Sequence, residues 1–146
     1  MPEIYGIIEA ALYVDDMPRS VEFYERVCGF PTLFASPRIT ALRVTPGQVL
    51  LIAKKGASAE PSDMMFGVPT HDATGQQHVA FGVRPEQLGG WRETLQHHGI
   101  SIEKALSWPM GGQSLYFRDP DGHSIELKTS DWDGEPLSPV RPPTSI

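Results

Sequence analysis

The chain is poor in everything that would staple or anchor it. Cys28 is its one cysteine, so no intramolecular disulfide can form and a cysteine-rich zinc site is excluded. No stretch approaches the ~18 unbroken apolar residues of a membrane-spanning helix, and the opening "MPEIYGIIEAALYV" has no basic leader ahead of a long apolar run. Basic runs are missing too. With 12 Lys and Arg against 18 Asp and Glu, nothing supplies the counterion release that drives binding to a phosphate backbone. These absences lead us to expect a soluble, cytoplasmic protein that binds neither nucleic acid nor membrane.

A chain of 146 residues, 40% hydrophobic and 21% charged, is long enough for one cored domain or two small modules sharing a core. From Gly6 to Val14, "GIIEAALYV" alternates as a strand, with Ile8, Ala10, Leu12 and Val14 on one face and Glu9, Ala11 and Tyr13 on the other. The segment "DDMPRSVEFYERVCGF" reads as a helix: acidic at its start, Val21, Tyr24 and Val27 at helical spacing, Gly29 as the stop. Strands are expected near 31–35, 39–45 and 48–54, the last two joined by the turn "TPGQ". Residues 55–76 have turn chemistry and read as a linker or lid loop. "HVAFGV" is then a strand, "PEQLGGWRETLQHHGI" a helix entered after Pro85 and left at Gly99, and strands near 101–107, 113–118 and 123–129 follow. The expected fold is α+β: a βαβββ module at 6–54, the loop at 55–76, a second βαβββ module at 77–129, and a proline-rich tail at 130–146 outside either module.

The repeat can be checked by counting. Laying "EAALYVDD" over "HVAFGVRP" sets Glu9 on His78, an offset of 69 positions. Superposing the turn glycines Gly47 and Gly122 sets Leu51 on Glu126, an offset of 75, and loops absorb the difference. Such repetition describes one supersecondary unit whose copies pair to complete a surface neither makes alone. Of the four equivalent positions, Glu9, His78 and Glu126 are metal-ligand types. Glu9 and His78 share their faces with the small residues Ala11 and Ala80, which would line a cup; Ile8, Ala10 and Leu12, like Val79, Phe81 and Val83, would pack on the helices. Carboxylates gathered in a cup are costly without a counter-charge, which a divalent cation provides. Two carboxylates and one imidazole suit manganese, iron, cobalt, nickel or zinc, and three protein ligands leave room for substrate.

These segments also resemble a known family. "ALYVDDMPRSVEFYERVCGF", "HVAFGV" and "YFRDPDGHSIEL" are similar to the vicinal oxygen chelate superfamily, which includes glyoxalase I, fosfomycin-inactivating thiol transferases, extradiol dioxygenases and bleomycin-binding proteins; the resemblance covers residues 6–129. It implies paired βαβββ modules forming an open, cup-shaped mixed sheet around a divalent metal, with Glu9, His78 and Glu126 as ligands. It also implies a homodimer in which modules pair between chains, Glu9 of one facing His78 and Glu126 of the other. Glu9 stands where many members have histidine or glutamine, and Leu51 where glyoxalase I has a glutamate that takes part in its chemistry. The implied activity is therefore not a standard glyoxalase I. It is a glyoxalase-like, metal-dependent enzyme of isomerase, lyase or thiol-transferase type, acting on a small substrate that chelates the metal through vicinal oxygens. Glu9 doubles as a proton carrier if substrate displaces it, and Glu126 and Tyr116 complete the catalytic set, Tyr116 matching a pocket tyrosine of the fosfomycin enzymes, with an aromatic cross-strand packing role as its alternative. The alternatives are an extradiol ring-cleavage dioxygenase and a metal-free binding or sequestering protein of bleomycin-resistance type.

Other residues have plainer readings. Arg118 shares a face with Tyr116 and could hold an anionic substrate, although an exposed strand-end arginine explains it more simply. Asp119 to Gly122 are turn formers. His71 is a solvated loop residue, a lid residue or a proton shuttle, His97 and His98 complement a helix dipole, Trp91 and Trp108 are core or rim, and Cys28 is inert packing.

Overall fold

The structure, a computed structural model, describes residues 1–61 and 67–137. Its elements follow the expected repeat: β1 (Glu9–Val14), α1 (Met17–Phe23), β2 (Thr32–Ala35), β3 (Ile39–Thr45) and β4 (Gln48–Lys54), then β5 (His78–Gly82), α2 (Leu88–His97), β6 (Lys104–Ser107), β7 (Gln113–Arg118) and β8 (Ser124–Lys128). Two four-stranded mixed sheets result, ordered β1-β4-β3-β2 and β5-β8-β7-β6. In each, the first strand runs parallel to the last and the remaining pairs are antiparallel. Ala11 pairs with Leu51, and Ala80 with Glu126. Those are the pairings that the two sequence offsets require.

Helix α1 starts at Asp16, whose side chain accepts from the Arg19 amide at 3.1 Å, satisfying one of the free donors of the first turn. It widens into a π turn at Tyr24–Cys28 and stops at Gly29, where φ is +70°. Ser20, Phe23, Tyr24 and Val27 are buried, whereas Val21 is half exposed. Ser20, Phe23, Tyr24 and Val27 recur at helical spacing, so Phe23 joins the expected Tyr24 and Val27 on the inner face.

The chain divides into two compact units, one made of residues 1–77 with 119–123, the other of 78–118 with 124 onward. The turn between β7 and β8 therefore belongs to the first unit, and its residues do more than turn. Tyr24 donates its hydroxyl to Asp119 Oδ2 at 2.8 Å, while Asp119 Oδ1 accepts the amides of Asp121 (3.0 Å) and His123 (2.8 Å). Asp121 accepts from the Asp15 amide at 2.9 Å and the Ser20 hydroxyl at 3.1 Å, with Lys55 Nζ at 3.9 Å. The fully buried His123 accepts the Gln77 amide on Nδ1 at 2.9 Å, so its proton sits on Nε2 and is donated to the Tyr13 carbonyl at 2.8 Å. Around these bonds the first unit buries Leu12, Val14, Leu42, Leu50 and Ile52. The second unit buries Leu88, Leu95, Leu115, Phe117, Ile125 and Leu127.

Two expectations need correction. Ile8 and Ala10 do not pack on a helix: β1 begins only at Glu9, and both residues are exposed, unlike Leu12 and Val14. The first part of the proline-rich tail, expected outside either module, folds back on the second unit. Asp131 donates its amide to the Glu135 carbonyl at 2.9 Å and takes the amides of Asp133 and Glu135 on its carboxylate; Leu137 donates to the Thr129 carbonyl at 3.3 Å. The Met110 carbonyl occupies the space a side chain at Gly134 would need, so only glycine lets this hairpin close. The middle of the expected lid loop (62–66) and the end of the tail (138–146) lie outside the described residues. Among the described residues no helix is long and apolar enough to cross a membrane.

Candidate metal centre

In the second unit, the parallel pairing of β5 with β8 puts His78 and Glu126 diagonally across one sheet face. His78 Nε2 lies 3.3 Å from Glu126 Oε2, and His78 Nδ1 lies 2.8 Å from the Ser124 carbonyl. A carbonyl can only accept, so the Nδ1 position carries the hydrogen. In the neutral ring this leaves the Nε2 lone pair aimed at the carboxylate. Two acceptors at that distance repel one another unless a cation, a proton or a metal ion, stands between or beside them. The Glu126 side chain is only 7% exposed and that of His78 51%. A buried carboxylate under a solvent-reachable imidazole needs such a cation, because an uncompensated buried charge costs several kcal/mol.

The second carboxylate oxygen is already committed. Glu126 Oε1 accepts from the Ser114 hydroxyl at 2.5 Å, and Ser114 Oγ accepts the indole N–H of Trp108 at 2.7 Å. Ser114 is fully buried, so the relay fixes the carboxylate and presents Oε2 toward His78. Tyr116 stands opposite Glu126 in the β7–β8 register, and its ring stacks on His78 at 6.2 Å between centroids. Burial, then the hydrogen bond to Glu126 and that group's charge, raise the phenol above its ordinary value, so Tyr116 remains a donor at neutral pH. Arg118 has its guanidinium on Glu103, Nε at 2.5 Å and Nη2 at 3.0 Å. That bond, the largest influence on either group, holds the Glu103 carboxyl down and the guanidinium up.

Glu9 lies in the first unit, exposed at the start of β1. Among the described residues no three His, Cys, Asp or Glu side chains gather into one cluster. The position matching Glu126 in the first unit is filled with carbon: Leu51, like Ala11 and Ala73, packs against the cluster of Tyr13, Ile39 and Ala53. His71 is not merely solvated. Its Nδ1 is hydrogen-bonded to the Tyr13 hydroxyl, and its amide donates to the Ser58 carbonyl at 3.0 Å. Burial, with a contribution from Asp72, raises the Tyr13 phenol. Burial also pushes the Cys28 thiol up to about 12, which makes it a poor nucleophile. His97 lies in the last turn of α2 with the His98 ring 5.2 Å away.

Sequence reasoning did not single out Ser114, His123, Lys128 or Trp132. Alternation along β7 and β8 places Ser114 and Lys128 on the face of Glu126, which was the available signal. Lys128 Nζ lies 5.1 Å from the centroid of Trp108 and 4.7 Å from that of Trp132.

Residues 6–127 match the model of the Glyoxalase/Bleomycin resistance protein/Dioxygenase superfamily. The chain belongs to this superfamily. Over 87% of its length it is 27% identical to the metallothiol transferase FosB of Bacillus licheniformis, spanning 77% of that protein. It is 33% identical to the catechol-2,3-dioxygenase of Bacillus subtilis over 81% of its own length, but only 39% of the dioxygenase. Among solved structures it is similar to the lactoylglutathione lyase of Agrobacterium tumefaciens, with a TM-score of 0.80, 29% identity, and 87% and 95% of the two chains covered. The βαβββ repeat and its strand order are thus those of the superfamily.

Proposed function

We propose that the chain is a divalent-metal-dependent enzyme acting on a small substrate that chelates the ion through vicinal oxygens. The observation carrying this reading is the pair of acceptors, His78 Nε2 and Glu126 Oε2, held 3.3 Å apart by partners that leave neither free to turn away. An imidazole and a carboxylate fit manganese, iron, cobalt, nickel or zinc. Glu9 is the third ligand in this reading, contributed by a second copy of the chain. The exposed Ile4, Tyr5, Ile7 and Ile8 just before it form an apolar run that a homodimer would cover. A lone, half-buried thiol suits a reducing cytoplasm.

A divalent ion held by His78 and Glu126 would supply Lewis-acid stabilisation of negative charge developing on a substrate oxygen. Tyr116, kept protonated, donates its O–H to the same oxygen. Glu9 accepts or returns a proton when substrate takes its place; a Glu9→Gln variant with full activity would remove that role. Thiol transfer or lyase chemistry fits better than ring cleavage, because the chain spans most of the thiol transferase and well under half of the dioxygenase.

The test begins with elemental analysis of protein purified without added metal, followed by calorimetric titration with Mn2+ and Zn2+. About one ion per chain is expected, with uptake lost in His78→Ala and Glu126→Gln. Absence of uptake by the wild-type chain would overturn the reading in favour of a metal-free binding protein. Thiol-consumption assays on small oxygen-bearing electrophiles and oxygen-electrode assays on catechols, each with and without chelator, then separate transferase from dioxygenase.

A further inference from the structure

Lys128 follows Glu126 by two positions on β8, so their side chains rise from the same face. It is half buried, and its ammonium sits between the rings of Trp108 and Trp132 at 5.1 and 4.7 Å. Aromatic faces attract a cation without neutralising it. Among the described residues Lys128 forms no ion pair with a carboxylate. The contrast with Arg118 is direct: the guanidinium on this face has its carboxylate in Glu103, while among the described residues the ammonium meets the two indole faces.

Lys128 is also tied to the candidate metal ligand. Its strand partner is Ser114, the residue that donates to Glu126 Oε1 and accepts from Trp108 Nε1. One indole therefore fixes Ser114 through its edge and Lys128 through its face. Residues two apart on one strand face stand roughly 6–7 Å apart, within reach of a single small molecule.

We propose that Lys128, held between Trp108 and Trp132, anchors an anionic group of the substrate, a carboxylate, phosphate or phosphonate, several bonds from the oxygens that chelate the metal. This rests on the metal-enzyme reading and narrows the substrate to acids with two separated polar ends. Ion pairing to a partly desolvated ammonium gives the group its affinity, and the flanking rings restrict where it lies.

Tryptophan fluorescence reports the site, since two of the chain's three tryptophans flank the ammonium. Methylphosphonate and sodium acetate are titrated at constant ionic strength into metal-loaded and chelator-stripped protein, with Trp91→Phe as a background that silences the remote indole. A saturable change is expected, retained in Lys128→Arg and weakened at least about tenfold in Lys128→Met. The probe that saturates at the lower concentration identifies the preferred acid. A response that never saturates, or one unchanged in Lys128→Met, would overturn the proposal. If Lys128→Met does not fold, Lys128→Gln makes the same comparison, with circular dichroism as the check. Mn2+ titration of the same samples keeps the two readings apart. Metal uptake without an anion response defeats only the anchor, and a Lys128-dependent response without metal uptake defeats only the metal centre.

Discussion

Ser114 and Glu126, on neighbouring strands, share a 2.5 Å hydrogen bond in which the serine hydroxyl donates to the carboxylate. Because Ser114 is itself oriented by the Trp108 indole, Glu126 is held from two residues away. Ser114→Ala should leave the fold intact at a cost of about 1–3 kcal/mol, the usual penalty for stripping a buried acceptor of its donor. Metal affinity should fall about 10-fold or more, as when ligand-orienting partners are lost. Urea denaturation and metal titration of the same variant measure the two effects separately.

Metal binding should register in thermal stability as well. An ion present at about 100 times its dissociation constant adds about 2.7 kcal/mol to the folded state, or roughly 8–10 °C in Tm for a chain of this size. Differential scanning fluorimetry with Mn2+ and with chelator should show this rise in wild type. His78→Ala should lose it while keeping the Tm of the metal-free protein, because His78 is half exposed and supports little of the core.

Tyr24→Phe tests the buried bond to Asp119. The variant keeps the ring packing and strands one carboxylate oxygen, so a loss of about 1–3 kcal/mol in unfolding free energy is expected. Metal stoichiometry should not change. An unaltered urea midpoint would show that water replaces the hydroxyl without cost.

Alkaline pH should destabilise the protein through Cys28. Burial raises its folded-state pKa from 9.0 to about 12, so the folded chain still holds this proton where the unfolded chain has released it. Stability linked to the thiol is complete below pH 9 and is lost progressively between there and about 12. Tyr24, raised by burial and by Asp119, pulls the same way from its own ordinary value upward. Urea midpoints measured from pH 8 to 11 should decline, and Cys28→Ala should flatten the decline.

Much of this was legible in the sequence because strand alternation is a strong signal. The face of β5 follows from period two, whereas in β1 only Leu12 and Val14 of the expected inner face are buried; the offsets that equated Leu51 with Glu126 reappear as matching Ala11–Leu51 and Ala80–Glu126 pairs. The chemistry of contacts distant in sequence was not legible. Nothing near Asp119 announces Tyr24, nothing near His71 announces Tyr13, and the π turn at Tyr24–Cys28 has no compositional mark. Trp132 was passed over because proline-rich composition suggests a free tail. The Asp131 turn and Gly134 instead return it to the second unit, beside Lys128.

The residues Asp119 to His123 carry a lesson about divisibility. Counted along the chain, the molecule is two halves joined by a loop; counted by packing, the first half keeps five residues encoded in the second. A gene fragment ending at the loop would make a polypeptide missing part of its own interior, with the Tyr24 hydroxyl and Tyr13 carbonyl deprived of Asp119 and His123. The repeat can be counted along the chain, but the first unit is complete only with this turn.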